Sequence, residues 1–218
     1  MKEDKDKLYY IGKRVMDIIG AIIGIVVFSP FLILATLWVK IVSPDGAVFA
    51  DIPFRVGKDR KPFRFYKFRS MVPDAHNYML NNPKLYKKYI ENNYKIDPDE
   101  DPRFLQGARF VRKYSIDELP QFFNVLKGDM SIVGPRAYFF SEVEEQSDRN
   151  PEVKPILNDV FSVKPGITGV WQISGRSEIG FADRVKLDAG YAKKKSLMYD
   201  LLIILKTPYV VITGRGAF

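Results

Sequence analysis

From Ile18 to Val39 the chain reads IIGAIIGIVVFSPFLILATLWV, without one charged side chain. A run of roughly 20 apolar residues has the length of a helix that crosses a bilayer. Ser29-Pro30 stands in its middle, and a mid-helix proline removes one hydrogen bond and clashes with the preceding turn, so a bend is expected near Ser29. Lys2, Lys5, Lys7, Lys13 and Arg14 precede the run, and Lys40, Arg55, Lys58, Arg60 and Lys61 follow it. Basic flanks favour the cytoplasmic side, so both ends of the helix prefer the same side. A straight span would put one flank outside. A helix broken at Ser29 and Pro30 instead dips into one leaflet and returns, provided protein or polar side chains cover the freed backbone groups. The plain span remains the rival reading. A signal peptide is disfavoured, because Asp17 stands at the entrance and no small-x-small cleavage site follows. A helix apolar all round and buried in a soluble core needs more chain than about 200 residues supply. Gly20 and Gly24 form a lone GxxxG, weak evidence for helix pairing.

Composition removes several chemistries. The 218 residues contain no cysteine and a single histidine, His76. Disulfide scaffolding and thiolate catalysis are excluded, and a metal is expected to be a hard cation on carboxylate oxygens. Lys plus Arg number 34 against 26 Asp plus Glu, a net charge of +8 that favours a polyanionic partner: nucleic acid, an anionic membrane or a phosphorylated substrate. Neither G-x-x-x-x-G-K-[ST] nor G-x-G-x-x-G occurs. The stretch Arg64-Phe65-Tyr66-Lys67-Phe68-Arg69 has the make-up of a nucleic-acid stacking platform, but alternation of Phe63 and Phe65 explains it equally as a half-buried strand.

After Val39, residues 47–49 and 61–68 read as short strands. Residues 74–95 read as helical with a break at Asn82-Pro83, and 96–103 as an acidic, turn-rich linker. Leu119, Phe122, Phe123 and Leu126 fall at i, i+3, i+4 and i+7, predicting an amphipathic helix over 116–127 with Gly128 as its stop. Helical patterns follow over 182–196 and 197–207, the latter apolar and broken by Pro208. It either packs inward or lies on a bilayer. The expected class is α+β, mainly helical: a basic N-terminus and re-entrant membrane helix over 1–45, then a small cytoplasmic domain with membrane-associated C-terminal helices over 46–218.

In Arg112-Lys113-Tyr114-Ser115-Ile116-Asp117-Glu118-Leu119-Pro120-Gln121, two adjacent carboxylates open a helix a few residues after two cations. A capping box, with Ser115 at the N-cap and Glu118 at N3, accounts for part of this. It leaves Pro120 and the basic pair unexplained. Consecutive helical residues point about 100° apart, so Asp117 and Glu118 suit two different jobs, such as nucleophile and metal ligand.

YKFRSM (66–71), RKYSIDELPQFFNVLKGDMSIVGPR (112–136), VKPGITGVWQISGR (163–176) and LDAGY (187–191) together closely resemble the bacterial sugar transferase family, the monotopic phosphoglycosyl transferases. The resemblance covers almost the whole chain. It departs at Tyr114, where a small hydroxyl residue is common, and at Ala137, where proline commonly follows the arginine. Larger members carry further membrane helices and another domain ahead of this region, so the resemblance implies either a minimal form or the catalytic part of a longer protein.

The resemblance implies transfer of a sugar 1-phosphate, of hexose type, from a UDP-sugar to polyprenyl (undecaprenyl) phosphate, releasing UMP. Asp117 would be the nucleophile that forms a phosphosugar-aspartate, and Glu118 would hold Mg²⁺. Lys67, Arg112 and Arg136 match basic positions expected to contact phosphate, where arginine's planar fork suits an oxyanion. Asp188 and Asp200 also match family positions and are candidates for substrate binding, with a helix-surface salt bridge or cap as the alternative for both. The implied setting is the cytoplasmic face of a bacterial inner membrane, in contact with lipid and not with nucleic acid; association with copies of itself stays open. The competing reading is a non-catalytic membrane scaffold of a glycan assembly complex, against which intact Asp117, Glu118 and Arg136 argue.

Overall fold

A computed structural model describes residues 2–91, 96–97, 100–214 and 216. Its longest element is α1, Lys2–Val42, a helix about 60 Å long at 1.5 Å per residue. Helical backbone continues through Pro30. The proline has no N–H for the carbonyl four residues back, that of Val26, and the Ser29 hydroxyl donates to this oxygen at 2.8 Å. A Ser-Pro pair therefore supplies its own substitute for the bond the proline deletes.

One face of α1 packs on the rest of the chain and the opposite face is bare. Lys13, Asp17, Ala21, Ala35 and Val39 are buried, whereas Leu8, Ile11, Val15, Ile19, Ile22, Ile23, Val26, Val27, Ile33, Leu34, Leu37 and Ile41 form an exposed apolar stripe. The attachment holds at both ends. Near the start, Lys13 Nζ stands 3.0 Å from Asp200 Oδ2, and Asp17 accepts from the Ser131 hydroxyl and the Ile132 N–H. Near the finish, the Trp38 indole donates to the Gln106 carbonyl, and Ala35 and Val39 pack with Phe68.

The remaining elements are short. Antiparallel β1 (Arg55–Val56) and β2 (Pro62–Phe63) are followed by α2 (Ala75–Leu80) and α3 (Pro83–Glu91), divided at Asn82-Pro83 as the sequence predicts. Then come α4 (Ala108–Lys113), a 3₁₀ turn (Ile116–Glu118), α5 (Gln121–Lys127), β3 (Ser131–Val133), α6 (Phe140–Arg149), α7 (Leu157–Phe161), β4 (Gly166–Thr168), α8 (Val170–Ser174), α9 (Phe181–Lys194) and α10 (Leu197–Thr213). β3 and β4 pair in parallel, Ser131 opposite Gly166 and Val133 opposite Thr168. Their core of Ala21, Val125, Met130, Ile132, Val133, Tyr191 and Ile203 joins α1, α5, α9 and α10 to the sheet.

Several expectations are corrected. Strand over 61–68 shrinks to Pro62–Phe63, and strand over 47–49 to a single bridge between Phe49 and Phe68; the Phe63 and Phe65 side chains are nevertheless both buried. Within 96–103, Asp101 and Arg103 are buried and bidentately paired, with 2.6 and 2.8 Å contacts, so this stretch is not a solvated linker; Pro98 and Asp99 lie outside the described residues, as do 92–95 of the expected helix. α10 passes Pro208 and ends at Thr213, before Gly214 in the left-handed conformation. Its bare residues, Met198, Leu201, Leu202, Leu205, Tyr209 and Ile212, make a second exposed apolar stripe.

Candidate active site

Instead of opening a regular helix, Ser115 adopts φ +56° and makes no capping bond, which corrects the expected capping box. Ile116–Glu118 then form a tight 3₁₀ turn, and Pro120 restarts the chain as α5, which Gly128 ends at φ +90°. The left-handed Ser115 turns the next residues inward. Asp117 is 1% exposed, while the Glu118 side chain keeps 39% of its surface. The Asp117 carbonyl accepts from the Phe68 N–H at 2.8 Å, which lays residues 67–68 alongside the turn. Lys67 Nζ thereby reaches both acids, 2.9 Å from Asp117 Oδ2 and 3.2 Å from Glu118 Oε1. Gln121 Nε2 donates to Glu118 Oε2 at 3.0 Å.

This arrangement splits the two acids. Burial raises the pKa of the Asp117 carboxyl, with Lys67 opposing. Burial also pushes Glu118 upward, but the Lys67 ammonium, the Gln121 hydrogen bond and the charge of Arg136 outweigh it and hold the group at about 2. Glu118 is thus an ionised carboxylate at a cleft wall, and Asp117 lies just behind it.

The cleft has a volume of about 2350 Å³, and Lys67, Arg112, Glu118, Arg136, Arg176 and Arg184 are among its walls. Arg112 is held over the Phe104 ring at 4.8 Å, and Arg136 and Arg184 each stack on Trp171 with the guanidinium carbon 5.0 Å from the ring centre. Glu142 stands 3.7 Å from Arg136 and 3.4 Å from Arg184. The loop bearing Arg136 is clamped by close backbone packing: a Cβ at Gly166 or Gly169 would collide with Gly134, and the Gly134 N–H donates to the Thr168 carbonyl. The glycines of PGITG are needed for that approach.

Of the sequence-derived candidates, Lys67, Arg112, Asp117, Glu118 and Arg136 come together here. Asp188 and Asp200 do not line the cleft, and both are fully buried. Asp188 Oδ2 accepts from the Arg136 N–H at 3.0 Å and the Tyr138 hydroxyl at 2.8 Å, and burial pushes its pKa up to about 7. It supports Arg136 from behind. Asp200 accepts from the Tyr191 hydroxyl at 2.6 Å and ties α10 to Lys13 of α1, a structural bridge. Ser29 and Pro30 lie in α1, outside this cluster of acids. The cleft residues that sequence reasoning misses include Arg176, whose Nη2 donates to the Ser115 hydroxyl at 2.6 Å, Arg184 and Trp171. WQISGR carried a signal for Arg176 and Trp171; Arg184 carried none.

Among the described residues, no three His, Asp or Glu side chains gather into a metal-binding group. Mg²⁺ is commonly held by one or two carboxylates together with substrate phosphates, and ionised Glu118 beside a basic cleft fits that donor set.

The family model for bacterial sugar transferases matches residues 8–214. The chain belongs to the bacterial sugar transferase family. The chain is 43% identical over 210 residues to a galactosyl transferase, CpsE, of Streptococcus agalactiae serotype III, covering 96% of the chain and 44% of that protein. It is 39% identical over 210 residues to the undecaprenyl-phosphate galactose phosphotransferase of Salmonella typhimurium, covering 94% and 41% respectively. It thus spans less than half the length of these two relatives. Against the exopolysaccharide production protein ExoY of Sinorhizobium fredii, identity is 35% over 212 residues, covering 95% of the chain and 88% of that protein.

Proposed function

We propose that this sugar transferase moves a sugar 1-phosphate, of hexose type, from a UDP-sugar to polyprenyl phosphate through a covalent intermediate on Asp117, as the first membrane step in assembling a surface polysaccharide or glycoconjugate. The observation that carries the reading is the buried Asp117 carboxylate, paired with Lys67 behind a cleft walled by arginines. Substrate phosphates entering the cleft compete for the Lys67 ammonium and release Asp117 Oδ2. That oxygen attacks the sugar-bearing phosphorus, the bond from phosphorus to the bridging oxygen breaks, and UMP leaves with its electron pair. An oxygen of polyprenyl phosphate then attacks the same phosphorus and displaces the carboxylate, giving polyprenyl-diphosphate-sugar. Arg112 and Arg136 pair with the phosphate oxygens. Glu118 would hold Mg²⁺, which supplies charge neutralisation for the diphosphate. The names of the relatives from Streptococcus agalactiae and Salmonella typhimurium support galactose among the candidate sugars.

One substrate is soluble and the other sits in lipid, so a site attached to a helix that enters one leaflet from the cytoplasmic side reaches both. Contact between the two basic flanks supports this topology: Lys58, after the apolar run, lies 5.2 Å from the ring centre of Tyr10, before it. A straight span would hold those flanks about 30 Å apart. Incubation with a panel of UDP-sugars, with and without polyprenyl phosphate, tests the reaction. One equivalent of UMP without lipid and many with it are expected. No UMP from any sugar in the presence of lipid would overturn the proposal.

A further inference from the structure

A second, smaller pocket of about 80 Å³ opens beside the N-terminal part of α1 and shares no residue with the cleft. Tyr10, Arg14, Lys58 and Lys164 are among its walls. The cations gather at the C-terminal end of α5, where Arg14 donates to the Val125 and Leu126 carbonyls at 2.7 and 2.8 Å. A Cβ on Gly128 would lie 3.4 Å from Lys164 Nζ and 3.8 Å from Arg14 Nη2, so both cationic heads crowd one spot. Lys58 Nζ lies 5.2 Å from the Tyr10 ring centre.

The carboxylates around the pocket are already engaged. Asp17 is shared among Lys13, the Ser131 hydroxyl and the Ile132 N–H; Asp200 is held by Lys13 and two tyrosines; Asp129 stands 3.6 Å from Lys127. Among the described residues, none of them forms an ion pair with Arg14, Lys58 or Lys164. Burial, then the like charges of Arg14 and Lys58, depress the Lys164 pKa, against the pull of Asp17 and Asp129. An incoming anion relieves that repulsion.

The pocket sits against the packed face of α1, with Lys13 and Asp17 among its walls, and reaches toward the bare apolar face through Tyr10 and Arg14. Leu8, Ile11 and Val15 are exposed on α1 next to Tyr10 and Arg14, and Leu197, the first residue of α10, reaches Gly12. A bilayer covering that face brings its headgroups to the level of these cations, the position where lysine, arginine and tyrosine settle at membrane surfaces. We propose that this pocket binds the phosphate of an anionic membrane phospholipid, with the acyl chains lying against the adjacent apolar stripe. The volume suits one phosphate group and not a nucleotide. The proposal goes beyond the transferase reading, since it requires only that the apolar face lie on a bilayer. Such a lipid would hold the protein in one orientation and so fix the height of the cleft above the membrane.

Native mass spectrometry of the full chain in detergent, titrated with phosphatidylglycerol, phosphatidylcholine or inorganic phosphate, tests it. The wild type should retain phosphatidylglycerol. The Lys58→Gln/Lys164→Gln variant should lose about thirtyfold in affinity, roughly fivefold for each lysine near an anionic lipid surface. The Lys58→Arg/Lys164→Arg variant should keep the affinity, and turnover in detergent should stay unchanged in both. An equal loss in Lys87→Gln/Lys186→Gln, which removes two exposed lysines elsewhere, would mean unspecific charge attraction and overturn the proposal. So would undiminished lipid binding in the double Gln variant. Phosphate retained without any lipid would mark a site for a soluble anion and also overturn it. Because turnover is read separately, failure here leaves the transferase reading standing, and the reverse.

Discussion

Lys67 Nζ lies 2.9 Å from Asp117 Oδ2, an oxygen with no hydrogen bond besides that ion pair. Burial raises the pKa of the Asp117 carboxyl, and the ammonium opposes that rise by favouring the charged form. Removing either partner therefore has opposite consequences for charge.

Asp117→Asn leaves Lys67 paired with Glu118 and places a neutral amide in the buried position. The fold should hold, with a small change in Tm, while UMP release falls by roughly 10³-fold or more, as expected when a nucleophile is lost. Lys67→Met strands Asp117 without its ammonium, and breaking a pair this buried costs about 3 kcal/mol. Its Tm should fall well below that of Asp117→Asn at high pH, and the gap should narrow as the pH is lowered, since burial favours the neutral acid. Thermal melts of both variants across that range, beside initial rates of UMP formation, check the pair of expectations. Retention of a tenth of wild-type turnover by the Asn variant would remove Asp117 from the nucleophile role.

Glu118 bears the other half of the division of labour. Glu118→Gln keeps the shape but removes the ionised carboxylate proposed to hold Mg²⁺, so activity should drop by at least about a hundredfold and no longer respond to Mg²⁺. The wild type in excess EDTA should lose turnover and recover it on adding Mg²⁺ back. Full activity in EDTA would exclude a metal requirement.

Asp188 predicts a pH dependence of stability. Its folded pKa is about 7 against an ordinary 3.8, so the folded state binds the extra proton between these values. The corresponding stability is fully present below the unfolded value and is lost as pH rises through about 7. The wild-type Tm should therefore decline from about pH 4 to about pH 7 and level off above it, and Asp188→Asn, which cannot ionise, should flatten that part of the curve. Because Asp188 holds the Arg136 N–H, the variant should also raise the KM for the UDP-sugar more than it lowers kcat. An unchanged slope in the variant would assign the pH dependence to another group.

What the sequence disclosed follows the range of its forces. The apolar run, the Asn82-Pro83 break and the Gly128 stop are local, set by hydropathy and backbone restrictions, and each stands where the residues put it. Lys67, Asp117 and Glu118 were readable as chemistry, but their contact depends on the Phe68 N–H meeting the Asp117 carbonyl, a pairing across 49 positions that no periodicity records. Ser115 was misread because a hydroxyl three residues before a glutamate fits a capping box, whereas its left-handed backbone and the 2.6 Å bond from Arg176 are tertiary. Asp188 and Asp200 read as substrate-binding candidates for the same reason: only the packed α9 and α10 bury them, away from the cleft.

The proposed re-entrant topology turns on Ser29 and Pro30. Pro30 withholds an N–H from the Val26 carbonyl, and the Ser29 hydroxyl, 2.8 Å away, takes its place. This self-sufficient weak point permits bending in lipid without leaving an acceptor unsatisfied. Pro30→Ala restores the backbone bond and removes the steric clash, so the helix gains stiffness over a run of roughly 20 apolar residues that is long enough to span. The contact between Tyr10 and Lys58 and the two-ended attachment of α1 oppose such a span, and part of the population should trade them for it. Single cysteines replacing the exposed Lys7 and Lys61 read the two flanks in a chain that has no cysteine of its own. On intact cells, a membrane-impermeant thiol reagent should leave both sites unlabelled in the Pro30 protein. In Pro30→Ala, the Lys7 position should become labelled in a fraction of molecules, with UMP release reduced by the same fraction. Labelling at the Lys7 position alone in the Pro30 protein would establish an ordinary span with the N-terminus outside and refute the re-entrant topology.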